Sequence, residues 1–464
     1  MGSSAINLTG PLGPAQFRNK LINGDFSVCQ RGNVVVGVSA RSADGATVDS
    51  LNTGYTLSVP TTYSCDRFFI EAQAGLGFSG SESNSDFTNI TGVPRISMKR
   101  QGFTLGYPER DATISDVDAS RYYQRVTIGA ADGTNVFGVT GSSMDMGDSF
   151  ISFGQHIDSE LAEFSNQTVH LSFLARSFGS INEPTIGCRL SVKPDFNNTR
   201  LYGSGSNLAD VVPDTTGVTI DIRKGVKREI NILADDIQLK GNWQKFTRKF
   251  KLPTFDGVTL GTDEITAITP TFMLVCGNSG PSALYSKSTH TDFLGGAGKY
   301  AGLTGAFDIA QIQLEIGSDV SPFEKRHPQI EIEMCKRYYH TTYTDGIYAG
   351  QGIDTDNKAG DGVFTFRQET VNGGGGHDHC VYFGFPTTMR VAPSISIYSM
   401  NTGRLGYASD GSSATGVGTP EDTALMEASR INTKGCMISN DIGVTDPNWT
   451  TQQWYMNLTL DAEL

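Results

Sequence analysis

The sequence predicts an all-β protein with more than one domain, and three observations carry that reading. Charged residues make up only 18% of the chain, while glycine occurs 54 times among plentiful Thr, Ser, Val, Ile and Phe. That balance suits strands joined by many turns. Apolar and polar residues alternate with period two in several separate segments. A helical spacing is read at one place, between residues 329 and 340. At 464 residues the chain exceeds one compact core and fits two or three domains.

Residues 1–18 are small and polar, and Gly10-Pro11-Leu12-Gly13-Pro14 forbids regular structure there. They read as an arm or linker. The first folded unit is read as 19–326. It opens on Leu21-Ile22-Asn23-Gly24-Asp25-Phe26-Ser27, a strand entering an Asn-Gly turn that tolerates positive φ. Strands follow at Tyr123-Gln124-Arg125-Val126-Thr127-Ile128 and across 169–176. In the second, Val169, Leu171 and Phe173 face one way and His170, Ser172 and Leu174 the other. Trp243, Phe246 and Phe250 anchor another strand. Phe272-Met273-Leu274-Val275-Cys276 and the run through Ile309, Gln311, Gln313 and Glu315 complete a jelly-roll β-sandwich. Polar, glycine-rich intervals near 37–62, 77–120, 195–236 and 279–304 read as long loops or added hairpins.

A connecting helix is predicted over 327–340. Pro328 sits where a helix starts, and Ile330, Met334 and Tyr338 recur at i, i+4 and i+8 on one face. So short a helix is marginal alone. It packs either on its own domain or on symmetry mates, and in the latter case those three residues form a trimer interface. Residues 341–464 open with glycine-rich turns. They close on the alternating strand Gln453-Trp454-Tyr455-Met456-Asn457-Leu458-Thr459-Leu460. This reads as a second, smaller β-sandwich.

Composition excludes several functions. The net charge is −13 and no basic stripe is present, so nucleic acid is not an expected partner. No window approaches 18 consecutive apolar residues, so membrane insertion is not expected, and no secretion signal is apparent. Seven cysteines are scattered without a C-x-x-C pair. They read as reduced, mostly buried thiols, which fits assembly in a reducing cytoplasm. No nucleophile elbow, Walker loop, H-E-x-x-H or dinucleotide fingerprint is found. The expectation is a protein that is not an enzyme and takes no cofactor.

Three constellations remain. His377 and His379 flank Asp378, and on a strand both imidazoles could reach one ion. A polar turn after four glycines is the preferred reading, so no metal is expected. Asp354, Asp356 and Asp361 have the density of a calcium loop, but Thr365 stands where the bidentate Glu belongs. Tyr343, Tyr348, Tyr407 and Trp449 lie in turn-rich C-terminal segments. They are the candidate platforms for stacking on the apolar face of a pyranose.

Several of these segments also resemble one family. Phe307-Asp308-Ile309-Ala310-Gln311-Ile312-Gln313-Leu314-Glu315-Ile316-Gly317, then Phe323-Glu324-Lys325-Arg326-His327-Pro328 and Cys335-Lys336-Arg337-Tyr338-Tyr339, resemble the "QLE-G…PFE-R…CQRYY" block of tail-fibre and receptor-binding proteins of tailed bacteriophages. The 21–27 segment resembles that family's "L-I-N-G-D-F" opening. Gln30-Arg31-Gly32 resembles "W-Q-R-G" with Cys29 for the Trp, and Cys65-Asp66-Arg67-Phe68 resembles "A-D-R-W" with Phe for the Trp. Asp461-Ala462-Glu463-Leu464 matches its "D-A-E-L" end. The resemblance implies a homotrimeric tail fibre with a carbohydrate-binding-module-like body at 19–326. The N-terminal arm would attach to phage tail or baseplate proteins, and the 341–464 tip would hold host surface polysaccharide. The protein would be assembled in the host cytoplasm and reside in the virion. The rival expectation is a purely architectural baseplate, tail or head-decoration subunit with no receptor binding.

Overall fold

A computed structural model describes residues 17–31, 48–51, 54–63, 65–77, 95–103, 120–129, 150–158, 161–178, 185–193, 220–222, 230–252, 267–276, 305–344, 347–352, 363–369, 380–410, 422–440 and 451–463. Two units are distinguished. One comprises 1–27, 36–62 and 68–326; the other comprises 327–464 together with two short pieces, 28–35 and 63–67.

In chain order the first unit holds β1 (Val48–Leu51), β2 (Gly54–Tyr63), β3 (Phe68–Gly77), β4 (Arg95–Gly102), β5 (Tyr122–Gly129), β6 (Phe150–Gln155), β7 (Ile157–Asp158) and the one-turn helix α1 (Leu161–Phe164). There follow β8 (Thr168–Phe178), β9 (Thr185–Lys193), β10 (Ile220–Ile222), β11 (Ile230–Gln238), β12 (Gln244–Lys251), β13 (Ala267–Cys276) and β14 (Gly305–Ile316). One sheet runs β1-β2-β3-β6-β13-β9-β11-β10 with β7 beside β13; the other runs β12-β8-β14-β5-β4. From β3 onward the chain passes repeatedly between the two sheets, which is the jelly-roll habit. The fold class read from the sequence is the one observed, an all-β sandwich.

Phenylalanines fill the space between the sheets. Phe68, Phe153 and Phe272 stack in a row across β3, β6 and β13, with centroids 5.3 and 6.2 Å apart. Phe173 of the opposite sheet meets Phe272 edge-on at 4.7 Å. The apolar residues of β14 change parity midway: Phe307 and Ile309, then Ile312, Leu314 and Ile316. A bulge reconciles them. Between Ala310 and Gln313 the register with β8 shifts, and Gln311 takes φ +50°. The extra residue returns the second apolar set to the core face.

The bulge takes backbone partners from outside the β14–β8 ladder, and the 17–26 segment supplies them. The Ile312 amide donates to the Gly24 carbonyl at 2.9 Å, and the Asn19 side chain donates to the Ile312 carbonyl at 3.1 Å. Asn19 Oδ1 accepts from the Leu314 amide at 3.0 Å. Gly24 lies so close to the Ile312 carbonyl that a Cβ would collide with it. Asn23 takes φ +61°, as the Asn-Gly pair suggested, but 17–26 is a strap of turns rather than a strand. Glu324 clamps its start, accepting from the Phe17 and Asn19 amides at 2.6 and 2.7 Å. Two of the sequence blocks singled out above therefore close on each other.

The second unit holds helix α2 (Pro328–Lys336) and strands β15 (Tyr339–Thr341), β16 (Phe364–Glu369), β17 (Cys380–Gly384), β18 (Ser394–Ser399), β19 (Tyr407–Asp410), β20 (Asp422–Ser429), β21 (Gly435–Asn440) and β22 (Thr451–Asp461). Strand β22 is the hub, pairing with β15, β16, β18 and β19. Strand β20 pairs with β19 through its first half and with β21 through its second, so it turns the corner between two layers. Trp454, Met456, Leu458, Ile438, Cys436 and Met389 are buried between them.

Helix α2 is shorter than expected. His327 caps it, its ring accepting from the Gln329 amide at 3.2 Å, but it ends at Lys336. Residues 339–341 leave the helix to pair with β22. Its buried residues are Glu331 and Cys335, whereas Ile330 is exposed and Met334 half-buried. Among the described residues no helix is long and apolar enough to cross a membrane.

Candidate functional site

The densest chemistry of the second unit is a buried arginine network drawn from four sequence blocks. Arg67 is 1% exposed and ion-paired to Glu463. Its guanidinium lies 3.4 Å above the Tyr338 ring. Arg31 bonds Asp461 at 3.1 Å and Glu463 at 3.5 Å, with its guanidinium 3.6 Å above Tyr339. Asp66 Oδ2 accepts from both the amide and the side chain of Gln30, each at 3.1 Å, and Gln30 also donates to the Tyr339 carbonyl at 2.8 Å. Arg67 takes φ +75°, a strained setting for a side chain of this kind.

Electrostatics explain how the charges survive burial. Desolvation works against both guanidinium ions, but Glu463 and, for Arg31, Asp461 more than offset it, so both are held firmly protonated. Burial pushes the Tyr63 and Tyr339 phenols up, keeping them neutral. Burial also pushes Asp66 up to about 6 despite Arg31 and the Gln30 bonds. With arginines as cations and neutral phenols as platforms, the network positions backbone segments and offers no activated nucleophile.

The predicted site residues scatter. Tyr343 is 5% exposed. Its ring meets Tyr398 edge-on and its hydroxyl accepts from the Gly350 amide at 3.1 Å. Burial pushes its phenol up to about 12. It has no open face for a sugar, so the sequence reading is corrected there. Tyr338 is corrected too: at 4% exposure beneath Arg67 it packs within the unit and cannot form a subunit interface. Tyr348 is 46% exposed. Tyr407 is half-buried, with the Arg404 guanidinium 3.7 Å over its ring and a 2.9 Å bond to its hydroxyl. Trp449, His377 and His379 lie outside the described residues, as do Asp354, Asp356 and Asp361. Among the described residues no three His, Cys, Asp or Glu gather as a metal site.

The structure adds a surface residue that sequence reading missed. On β17 Val381 and Phe383 turn to the core, and Tyr382 points outward at 58% exposure. Its ring leans over Gly435 of β21, where a Cβ would collide with the ring and hydroxyl. The glycine thus makes room for the hydroxyl end of a ring that is otherwise largely exposed. Exposed Lys434 and Asn432 stand in the adjoining turn, and the Tyr382 hydroxyl reaches the Lys434 carbonyl at 3.4 Å. Leu405 and Leu425, 60% and 51% exposed, are carried next to Tyr407, Leu425 directly opposite it across the β19–β20 ladder.

No protein-family model matches the sequence, and no curated protein matches it. Among solved structures, the family 11 carbohydrate-binding module from Clostridium thermocellum, in complex with a β-1,3-1,4-mixed-linked tetrasaccharide, is 11% identical, with 58% of this chain and 98% of that one covered and a TM-score of 0.22. The N-terminal CBM22 tandem domain from Paenibacillus barcinonensis is 8% identical, covering 79% and 91%, with a TM-score of 0.21. Neither superposition is close enough to carry an argument.

Proposed function

We propose that this protein is a virion adhesion subunit, a tail fibre of a tailed bacteriophage, that holds a host surface glycan through its 327–464 unit. The sequence blocks in their order support the virion assignment. One observation carries the glycan reading: Tyr382, 58% exposed, with the hydroxyl end of its ring against Gly435 and exposed Lys434 and Asn432 in the adjoining turn. A pyranose presents an apolar face to such a ring and hydroxyls to polar neighbours. Exposed Ile330 and half-buried Met334 would join three copies, and threefold display would raise a weak contact to strong attachment. The mechanism is adhesion without bond cleavage.

A second reading has its own observation. Exposed Leu405 and Leu425 suit a contact with another virion protein, as an architectural subunit would make. An array of bacterial O-antigen and capsular polysaccharides separates the two. The adhesion reading expects saturable binding to one class, weakened about tenfold by Tyr382→Ala and kept by Tyr382→Phe. Wild-type protein that binds no glycan yet enters particles favours the architectural subunit. For the oligomer, Ile330→Asp is expected to convert a trimer to single chains by light scattering; equal masses before and after remove the proposed interface.

A further inference from the structure

We propose that Cys29 and Cys65 are an oxidisable pair that closes to a disulfide when the protein meets a peroxide. The two sulfurs lie 3.3 Å apart although 36 positions separate them in sequence. A disulfide bond is about 2.05 Å long, so closure asks for roughly 1.3 Å of approach. The fold sets this proximity. Cys29 precedes Gln30 and Cys65 precedes Asp66, and the two bonds from Gln30 to Asp66 pin the backbones side by side. Arg31 and Arg67, one position further on, are tied to the same Glu463 carboxylate. The thiols are therefore held together by a network that does not depend on their oxidation state.

The pair is asymmetric. Cys29 is 5% exposed and Cys65 fully buried, so a small oxidant reaches the Cys29 sulfur first. The Cys29 thiolate attacks the peroxide O–O bond, forming a sulfenic acid and releasing hydroxide, which takes the thiol proton to become water. The Cys65 thiol then attacks the sulfenic sulfur; the S–S bond forms and the S–O bond breaks with loss of water. In sum, two thiols and one hydrogen peroxide yield one disulfide and two waters. Elsewhere, burial pushes the Cys436 thiol up to about 11 and the Cys335 thiol well up, leaving both protonated and poorly nucleophilic. The thiol of Cys380 is exposed and would react separately.

The test uses the full chain carrying Cys380→Ser. After hydrogen peroxide at neutral pH, alkylation and peptide mapping, the expected product is a Cys29–Cys65 cross-linked peptide from a chain that has lost two hydrogens. Dithiothreitol should reverse it. Closure confines the 29–65 loop in the unfolded state and should raise the melting temperature by about 5 °C or more, a gain that disappears on reduction. In a Cys65→Ala variant, Cys29 should gain oxygen instead, because the resolving thiol is gone. Three results overturn the proposal: Cys29 carrying oxygen while Cys65 is still alkylated as a thiol, a cross-link to any other cysteine, or folded protein in which both thiols survive the oxidant.

Discussion

Each unit pairs one buried and one half-buried arginine with a shared carboxylate, and the two arrangements are built differently. In the first unit Asp308 on β14 stands directly opposite Arg125 on β5 and Arg176 on β8. It accepts from Arg125 at 2.7 and 2.8 Å and from Arg176 at 2.8 Å, with Asp308 itself fully buried. Three neighbouring strands deliver this cluster by register alone. In the second unit Arg31 and Arg67 come from pieces of chain far from Glu463 in sequence, and tyrosine faces cover their guanidinium groups. The first cluster is a by-product of a ladder that would form anyway. The second is itself what gathers its segments.

This contrast predicts unequal sensitivity. Glu463→Gln leaves the buried Arg67 guanidinium without its counter-charge and half-buried Arg31 with Asp461 alone, and should cost about 3–5 kcal/mol in urea unfolding. Asp308→Asn also removes a buried partner, but Arg125 is 19% exposed and can turn toward water, so a smaller loss of about 2–3 kcal/mol is expected. A larger loss for Asp308→Asn than for Glu463→Gln would break the comparison.

Titration sharpens it further. Asp66 is raised to about 6 in the folded protein from 3.8, so the folded state binds its proton more tightly. Its contribution is full below the unfolded value and is lost as pH rises through 6. His340 runs the other way. Burial, then Lys336, lowers it to about 4 from 6.5, so its contribution is present above 6.5 and lost as pH falls through 4. Over that window the two oppose each other in the wild type. Asp66→Asn keeps an acceptor for Gln30 and removes the first contribution. Its stability, followed by thermal melting, should fall on acidification from pH 6.5 to 4 by about 2–3 kcal/mol more than the wild type's. His340→Gln should shift the profile the opposite way. Parallel pH profiles for the wild type and Asp66→Asn would remove Asp66 from the network's energetics.

The sequence made the sandwich legible where the signal was local. Alternation in 169–176 and 453–460 located β8 and β22, and Pro328 located the start of α2. The parity break between Ile309 and Ile312 escapes a reading of Ile309, Gln311, Gln313 and Glu315 as one alternating run; it marks the bulge that the 17–26 strap fills. What stayed hidden depended on pairing. Tyr338 fits a helical face only while the helix continues, and Arg67 together with the β22 ladder ends it. Tyr382 looks like any outward residue until register sets Gly435 beneath its ring. Arg31 and Glu463 share no periodicity, being 432 positions apart.

That last separation imposes a schedule on the ribosome's product. Translation at about 5–20 residues per second leaves roughly 20–90 s between the birth of Arg31 and that of Glu463. Through that interval Arg31 and Arg67 wait without their acidic mate, while the sheets encoded between them and Glu463 have time to form. The late carboxylate then acts as a keystone for Arg31 and Arg67, 432 and 396 positions upstream of it.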